Sequence, residues 1–133
     1  MKLYIGVKAV ITEGEKALII REAAYAEGTS EGMWDVPGGR INPEETLPFA
    51  LQREVREECG LEIEIGPVLG VAESFIVINN ETCHVVRIYY QCEKLPSEVR
   101  IGNNHDKYVW VERREPGERL YVGEVAEMIK KTA

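Results

Sequence analysis

The sequence predicts an α+β fold with a mixed β-sheet, in a single domain over residues 1–133. Runs rich in β-branched and aromatic residues lie on both sides of one central helical segment, residues 46–59. A second segment with helical spacing ends the chain at residues 122–131. Strands and helices do not alternate regularly, which favours an α+β or sandwich-like mixed sheet over a βαβ repeat.

The segments before the central helix are predicted to be strands. Residues 4–12 and 17–21 are expected to form a hairpin that turns at Gly14. Residues 33–40 read MWDVPGGR, a short strand that runs into the sequence Pro-Gly-Gly. Two glycines after a proline allow the backbone to approach a ligand closely.

The central helix has recognisable signals at both ends. Thr46 is expected to cap its first turn, and Pro48 is tolerated there because its missing N–H would be unpaired anyway. Gly60 is the predicted left-handed stop. Beyond it, residues 62–78 and 83–93 are predicted strands joined by a tight turn. The remaining elements are a polar loop and a short strand: residues 96–107 and 108–112.

The composition excludes several classes of protein. Apolar residues make up 44% of the chain, so a disordered protein is not expected. The net charge of -7 disfavours binding to nucleic acid polymers, because their phosphate backbones are also negative. No segment has the length of a membrane helix or the features of a signal peptide, so we expect a cytoplasmic protein. The three cysteines form no CxxC pair, and neither a disulfide framework nor a zinc site is indicated.

The central helix concentrates acidic residues beside its apolar face. Its apolar stripe consists of Leu47, Leu51, Val55 and Cys59. Glu54, Glu57 and Glu58 share a neighbouring face, and Glu58 projects within the stripe itself, whereas Arg53 is expected to point toward water. Most helical glutamates are solvated surface residues, but three beside an apolar wall repel one another or take up protons. A bound Mg²⁺ ion removes this conflict, since it prefers oxygen ligands.

Residues 39–61, GRINPEETLPFALQREVREECGL, resemble the signature box of the Nudix hydrolases, the family of MutT-like proteins. Every fixed position of that box is filled: Gly39, Glu45, Arg53, Glu54, Val55, Glu57, Glu58, Gly60 and Leu61. The resemblance implies the family's α/β/α sandwich, with the box forming a loop–helix–loop that binds Mg²⁺ or Mn²⁺ and the substrate's pyrophosphate.

The resemblance assigns roles to individual residues. It implies that the metal ligands are Glu57, Glu58, Glu54 and the Gly38 carbonyl. Arg53 would orient the carboxylates through an ion pair, Glu45 would brace the loop or join the metal ligands, and Gly39 would lie against the substrate. Arg21 and Arg40 are candidates to pair with substrate phosphates, or are surface arginines.

The general base is left open between two residues. Many relatives carry an additional acidic residue in a later stretch that resembles His-x-Glu-Tyr-x-Trp. Residues 105–110 read HDKYVW, with a lysine where the glutamate is expected and Asp106 one place earlier. Either Glu54 or Asp106 would therefore act as the base, and Glu54 is favoured. The structural alternatives are a loop-capping role for Asp106 and a solvated position for His105.

The resemblance implies a pyrophosphohydrolase that cleaves a nucleoside-diphosphate-type small molecule. The leading hypothesis is a nucleoside or deoxynucleoside triphosphate, cut to the monophosphate and pyrophosphate. ADP-ribose, a nucleotide sugar or a dinucleoside polyphosphate is the enzymatic alternative, although residues 76–79, IVIN, lack the markers of those subfamilies. A nucleotide-binding sensor without catalysis is a third hypothesis, and homodimer formation is left open.

Overall fold

The structure is a computed structural model that describes all residues from 1 to 133. Seven strands and two helices follow one another along the chain. Their bounds are β1 (Lys2–Glu13), β2 (Lys16–Glu22), β3 (Trp34–Asp35), β4 (Gly38–Arg40), α1 (Leu47–Cys59), β5 (Ile63–Ile78), β6 (Glu81–Lys94), β7 (His105–Glu112) and α2 (Val125–Lys130).

The seven strands form one mixed sheet that is organised around β1. Five strands follow the order β3-β2-β1-β6-β5, while β4 pairs with β1 and β7 pairs with β2. β1 runs parallel to β6 from Lys2 opposite Cys83 to Thr12 opposite Glu93. All other pairings are antiparallel. The predicted α+β class with a mixed sheet is confirmed.

The predicted hairpin of the first two strands is only partly formed. β1 and β2 pair at just two positions, Thr12 with Ala17 and Glu13 with Lys16, beside the turn at Gly14. β4 occupies the edge of β1 from Gly6 to Lys8, so β2 diverges and pairs with β3 and β7. The short strand predicted before Pro37 is β3, and the glycines that follow belong to a further strand, β4, because the two strands pair with different partners.

Helix α1 forms with the predicted ends. The Thr46 side chain accepts the Phe49 N–H, and Gly60 ends the helix with a φ of 69°. The Gly60 N–H donates to the Arg56 carbonyl, which satisfies one of the last free carbonyls of the helix. The local signals were sufficient here because both caps act within one turn of the helix.

Two apolar cores lie on opposite faces of the sheet, as expected for an α/β/α sandwich. The core beneath α1 consists of Val7, Ala9, Ile11, Leu18, Ile20, Ala50, Leu51, Val55, Cys59, Leu61, Ile63 and Cys92. The core beneath α2 consists of Val10, Ala17, Ile19, Trp34, Val36, Tyr89, Val111, Val125, Met128 and Ile129. Alternate residues of β1 and β2 enter opposite cores, which follows from the two-residue period of a strand.

The last two elements differ in length from the predictions. β7 begins at His105 rather than residue 108, because β2 pairs with it as far as Glu22. α2 is only six residues long, since residues 123 and 124 form a turn before it and Tyr121 bridges to Trp34. The three cysteines are buried and free. Neither helix combines the length and the apolar character that a membrane-spanning helix requires.

We predict that Gly60→Ala lowers the free energy of unfolding by about 1–2 kcal/mol, because an L-residue resists left-handed backbone. A Cβ at this position would also lie 3.2 Å from the Arg100 Cβ. Gly14→Ala is matched for backbone conformation, with a φ of 59° and nothing within 4 Å of an added Cβ, so any larger loss in Gly60→Ala measures the contact with Arg100. Urea denaturation of both variants measures the effect, and an unchanged stability of Gly60→Ala would contradict it.

Candidate active site

The three glutamates of the acidic helix face line one cavity of about 280 Å³ between α1, β4 and the loop before β7. The residues that line it are Tyr25, Gly38, Gly39, Glu54, Glu57, Glu58, Gly102, Asn103, Asn104 and His105. The acidic helix face and the glycine turn therefore lie together, as the sequence predicts. Oxygen atoms dominate the functional groups of the side chains in this cavity.

Both glycines of the turn are required by close contacts. A Cβ on Gly38, whose φ is 152°, would lie 2.1 Å from the Val7 carbonyl oxygen. A Cβ on Gly39 would lie 2.6 Å from the Glu54 carboxylate. The Gly38 N–H donates to Glu58 Oε1 at 2.6 Å, which fixes one carboxylate against the backbone. Only glycine leaves room for Glu54 and Glu58 to approach the turn in this way.

Arg53 links four groups around the cavity. Its guanidinium contacts Glu45 Oε2 at 2.6 Å, Glu54 Oε1 at 2.9 Å and Glu57 Oε2 at 3.3 Å, and donates to the Arg40 carbonyl at 3.2 Å. The hydrogen bond from Arg53 holds the pKa of Glu45 below its usual value. The expectation that Arg53 points toward water was wrong, because the loop that carries Glu45 folds over this side of the helix.

Glu58 is the carboxyl of the cavity that contacts the backbone of the glycine turn. Burial raises its pKa to about 8, although the nearby Lys8 and the Gly38 N–H act in the opposite direction. Lys8 is itself buried, and its Nζ lies 3.0 Å from Asp35 Oδ2. Sequence reasoning missed Lys8. The available signal was a lysine within the otherwise apolar run of the first strand, a position that needs a buried partner.

The carboxylate oxygens of the cavity are suitable ligands for a hard divalent cation, but they do not yet converge on one point. The side chains of Glu54 and Glu58 are 15% and 23% exposed, whereas Glu57 is 59% exposed. No three acidic, histidine or cysteine side chains converge as they stand. Arg53 and the Gly38 N–H hold two of the carboxylates, and Glu57 extends toward solvent. Burial raises the pKa of Glu54 as well, so added positive charge would stabilise its ionised form.

His105 points into the cavity and was not expected there. Its Nε2 lies 3.8 Å from Glu58 Oε2, and its Nδ1 is buried without a hydrogen-bond partner. Burial lowers the pKa of this imidazole. The structural alternative of a solvated loop position for His105 is wrong, because residue 105 already belongs to β7.

Arg21 and Asp106 lie outside the acidic cavity. Asp106 lies at an irregularity in the pairing of β2 with β7, and it does not line the acidic cavity that contains its neighbour His105. It forms a two-point ion pair with Arg21, with distances of 2.8 Å and 2.9 Å. The structure therefore does not support Asp106 as the base or Arg21 as a phosphate ligand, since the two residues pair with each other instead.

Arg40 lines a second cavity that shares Glu54 with the first. This cavity has a volume of about 460 Å³ and is lined by Tyr25, Glu27, Arg40, Glu54, Ile78, Asn79 and Asn104. The Arg40 guanidinium carbon lies 3.6 Å from the centroid of the Tyr4 ring, which positions this cation. Arg40 thus remains a candidate to contact an anionic substrate beside the glutamates.

The NUDIX domain family model matches residues 2–131 of the chain. The chain belongs to the NUDIX family. The crystal structure of a MutT protein from Methanosarcina mazei Go1 superimposes with a TM-score of 0.80 and 26% identity, covering 98% of this chain and 92% of that one. The predicted resemblance and the NUDIX α/β/α fold are therefore confirmed.

Two relatives of this NUDIX chain have names that state different activities. The human 8-oxo-dGDP phosphatase NUDT18 is 40% identical over 70 residues, which are 53% of this chain but only 21% of the human protein. Nucleoside triphosphatase NudI of Escherichia coli is 26% identical over 108 residues, covering 76% of this chain and 77% of that protein. The chain thus matches a small part of the human protein and most of the bacterial one.

We predict that Gly39→Ala displaces the Glu54 carboxylate and weakens Mg²⁺ binding while the fold is kept. The added Cβ would meet only the end of the Glu54 side chain, which can move away, so little stability should be lost. Isothermal titration calorimetry with Mg²⁺ measures the effect. Gly6→Ala is the matched control, because its Cβ would lie 3.5 Å from the Gly39 carbonyl, an ordinary contact. Equal Mg²⁺ affinity in the two variants would contradict the assigned role of this turn.

Proposed function

We propose that this NUDIX protein is a divalent-metal-dependent pyrophosphohydrolase that acts on a nucleotide. The observation that carries the proposal is the shared cavity of Glu54, Glu57 and Glu58 beside the Gly38–Gly39 turn. Carboxylates packed around a glycine turn suit a cation and an approaching phosphate chain better than any neutral ligand. Family membership supports the reaction class, and NUDIX hydrolases generally use divalent metals.

Each residue of the cavity has a defined part in this proposal. Glu57 and Glu58, with the Gly38 carbonyl, would hold Mg²⁺, and Mn²⁺ would serve as a substitute. A bound divalent cation supplies positive charge that stabilises phosphate oxygens and acidifies a water molecule. Arg53 holds Glu45 and Glu54 in place through the observed ion pairs. Arg40 would contact the phosphate chain from the adjoining cavity.

We propose Glu54 as the general base that takes a proton from the attacking water. Its carboxylate lies against Gly39 within both cavities, and its partner Arg53 engages Oε1. Burial raises the pKa of Glu54, which brings a carboxylate closer to the range in which a base is effective. Asp106, the alternative from the sequence, is turned away and paired with Arg21.

The proposed substrate is a nucleoside or deoxynucleoside triphosphate, cut to the monophosphate and pyrophosphate. The bacterial relative is named as a nucleoside triphosphatase, which supports this choice, since that match extends over most of both chains. A nucleoside diphosphate is the second candidate, favoured by the higher identity to the human 8-oxo-dGDP phosphatase. ADP-ribose, nucleotide sugars and dinucleoside polyphosphates complete the set to be tested.

We expect Mg²⁺-dependent product release from at least one member of a panel of these nucleotides, with loss of turnover on chelation by EDTA. Glu57→Gln should abolish turnover with the fold intact, because the side chain is largely exposed and contributes little to packing. Liquid chromatography of the products identifies the bond that is cut. Tight nucleotide binding without product would instead identify a sensor and contradict the enzymatic proposal.

We predict that Glu54→Gln lowers kcat by about 10²–10⁴-fold, the usual contribution of a general base. Asp106→Asn should leave kcat near that of the wild type, because it removes only an exposed ion pair with Arg21. Steady-state kinetics at saturating Mg²⁺ compares the two variants. A large loss of kcat in Asp106→Asn with little loss in Glu54→Gln would assign the base to Asp106. That result would require the Asp106 side chain to turn toward the cavity in the working enzyme.

A further inference from the structure

An apolar part of the sheet lies beyond the reach of α1. Three cross-strand rows can be read from the register of β1, β6 and β5: Leu3–His84–Phe75, Ile5–Val86–Glu73 and Val7–Ile88–Val71. The side chains of these rows share a face with the core beneath α1, and Val7 belongs to that core. Toward the first row the helix no longer covers the sheet, and the side chains become exposed.

Four apolar side chains on this surface are far more exposed to solvent than apolar strand residues usually are. Leu3, Val71, Phe75 and Val77 are 60%, 61%, 60% and 65% exposed, and we call them the uncovered sheet face. Ile5 and Val86 lie half-buried between them. Contiguous apolar patches of more than a few hundred Å² are rare on monomeric soluble proteins and mark sites of association.

Charge is almost absent from the uncovered sheet face. Glu73 is the one carboxylate within the three rows, and its Oε2 lies 2.8 Å from His84 Nε2. The His84 ring also stacks on Phe75, with centroids 4.4 Å apart. The chain as a whole carries a net charge of -7, so two copies repel each other across most of their surfaces. This face is where a second copy can approach with the least repulsion.

We infer that a second copy of this chain docks on the uncovered sheet face to form a two-fold symmetric dimer. A flat apolar surface without an unpaired charge can be its own complement, as the matching patches of such a dimer require. Stable interfaces bury about 800 Å² on each partner around an apolar core. The four exposed side chains and their half-buried neighbours provide that core.

The dimer leaves the proposed active site open. Successive residues of β5 point to opposite faces of the sheet, and the side chains of Ser74, Ile76 and Ile78 point away from Phe75. Ser74 and Ile76 line a cavity of about 540 Å³, and Ile78 lines the cavity that contains Arg40 and Glu54. Val77 of the uncovered sheet face also lines the 540 Å³ cavity, but none of the four residues of that face lines either cavity that contains Glu54. The docking surface is therefore separate from the proposed active site, and the inference does not depend on the proposed function.

Sedimentation equilibrium of the whole chain over a wide micromolar range tests this inference. We expect a dimer for the wild type, and Phe75→Glu should weaken dimerisation at least about tenfold, since two buried carboxylates would face each other. Leu120→Glu is the matched control, because Leu120 is 65% exposed but lies outside the uncovered sheet face. A chain that is monomeric throughout, or a dimer that Phe75→Glu leaves unchanged, would overturn the inference.

Two further measurements keep the test decisive if Phe75→Glu does not fold. Val71→Glu probes the same face from another row, and circular dichroism checks that each variant is folded. Hydrogen–deuterium exchange of the wild type requires no substitution. Protection of residues 68–78 that increases with protein concentration would support the dimer, and protection independent of concentration would contradict it.

Discussion

The arrangement of this site depends on a carboxyl group buried against a backbone turn. Burial raises the pKa of Glu58 to about 8, so its ionised form needs compensation from its surroundings. The Gly38 N–H supplies a hydrogen bond, and the buried Lys8 supplies positive charge. The turn can approach so closely only because position 38 lacks a Cβ, which would strike the Val7 carbonyl. The pairing of β4 with β1 brings this turn beneath α1. The same pairing forces β2 away from β1.

Local signals predicted the parts of the site that lie within one segment. Thr46 and Gly60 act on neighbouring turns of α1, so the helix ends could be placed from the sequence. The acidic face of the helix and the glycine turn followed from spacing alone. Lys8 and His105 were missed because their importance arises from contacts between elements far apart in the chain. A strand that begins three residues early is sufficient to move His105 from solvent into the cavity.

Arg53 illustrates why a helical wheel gives only part of the environment of a residue. The wheel places its side chain opposite the apolar stripe, which in an isolated helix is the solvated side. In the folded chain, the loop before α1 returns over that side and carries Glu45 to within 2.6 Å of the guanidinium. Arg53 then connects Glu45, Glu54 and Glu57, so it neutralises part of the repulsion that the three helix glutamates would otherwise experience. The resemblance to a known family indicated this ion pair, whereas periodicity could not.

Successive side chains of a strand point to opposite faces, and in β5 this alternation separates the proposed docking surface from the proposed active site. One set of alternating β5 residues lies on the same face as the core beneath α1 and includes the exposed side chains of Val71, Phe75 and Val77. Ile78, which belongs to the other set of alternating residues, lines the cavity that contains Glu54 and Arg40. A shift of one residue in register would exchange these two sets and move Phe75 to the opposite face of the sheet. The left-handed Asn79 and Asn80 of the connecting turn fix that register, so the turn is as necessary to the site as any residue that lines it.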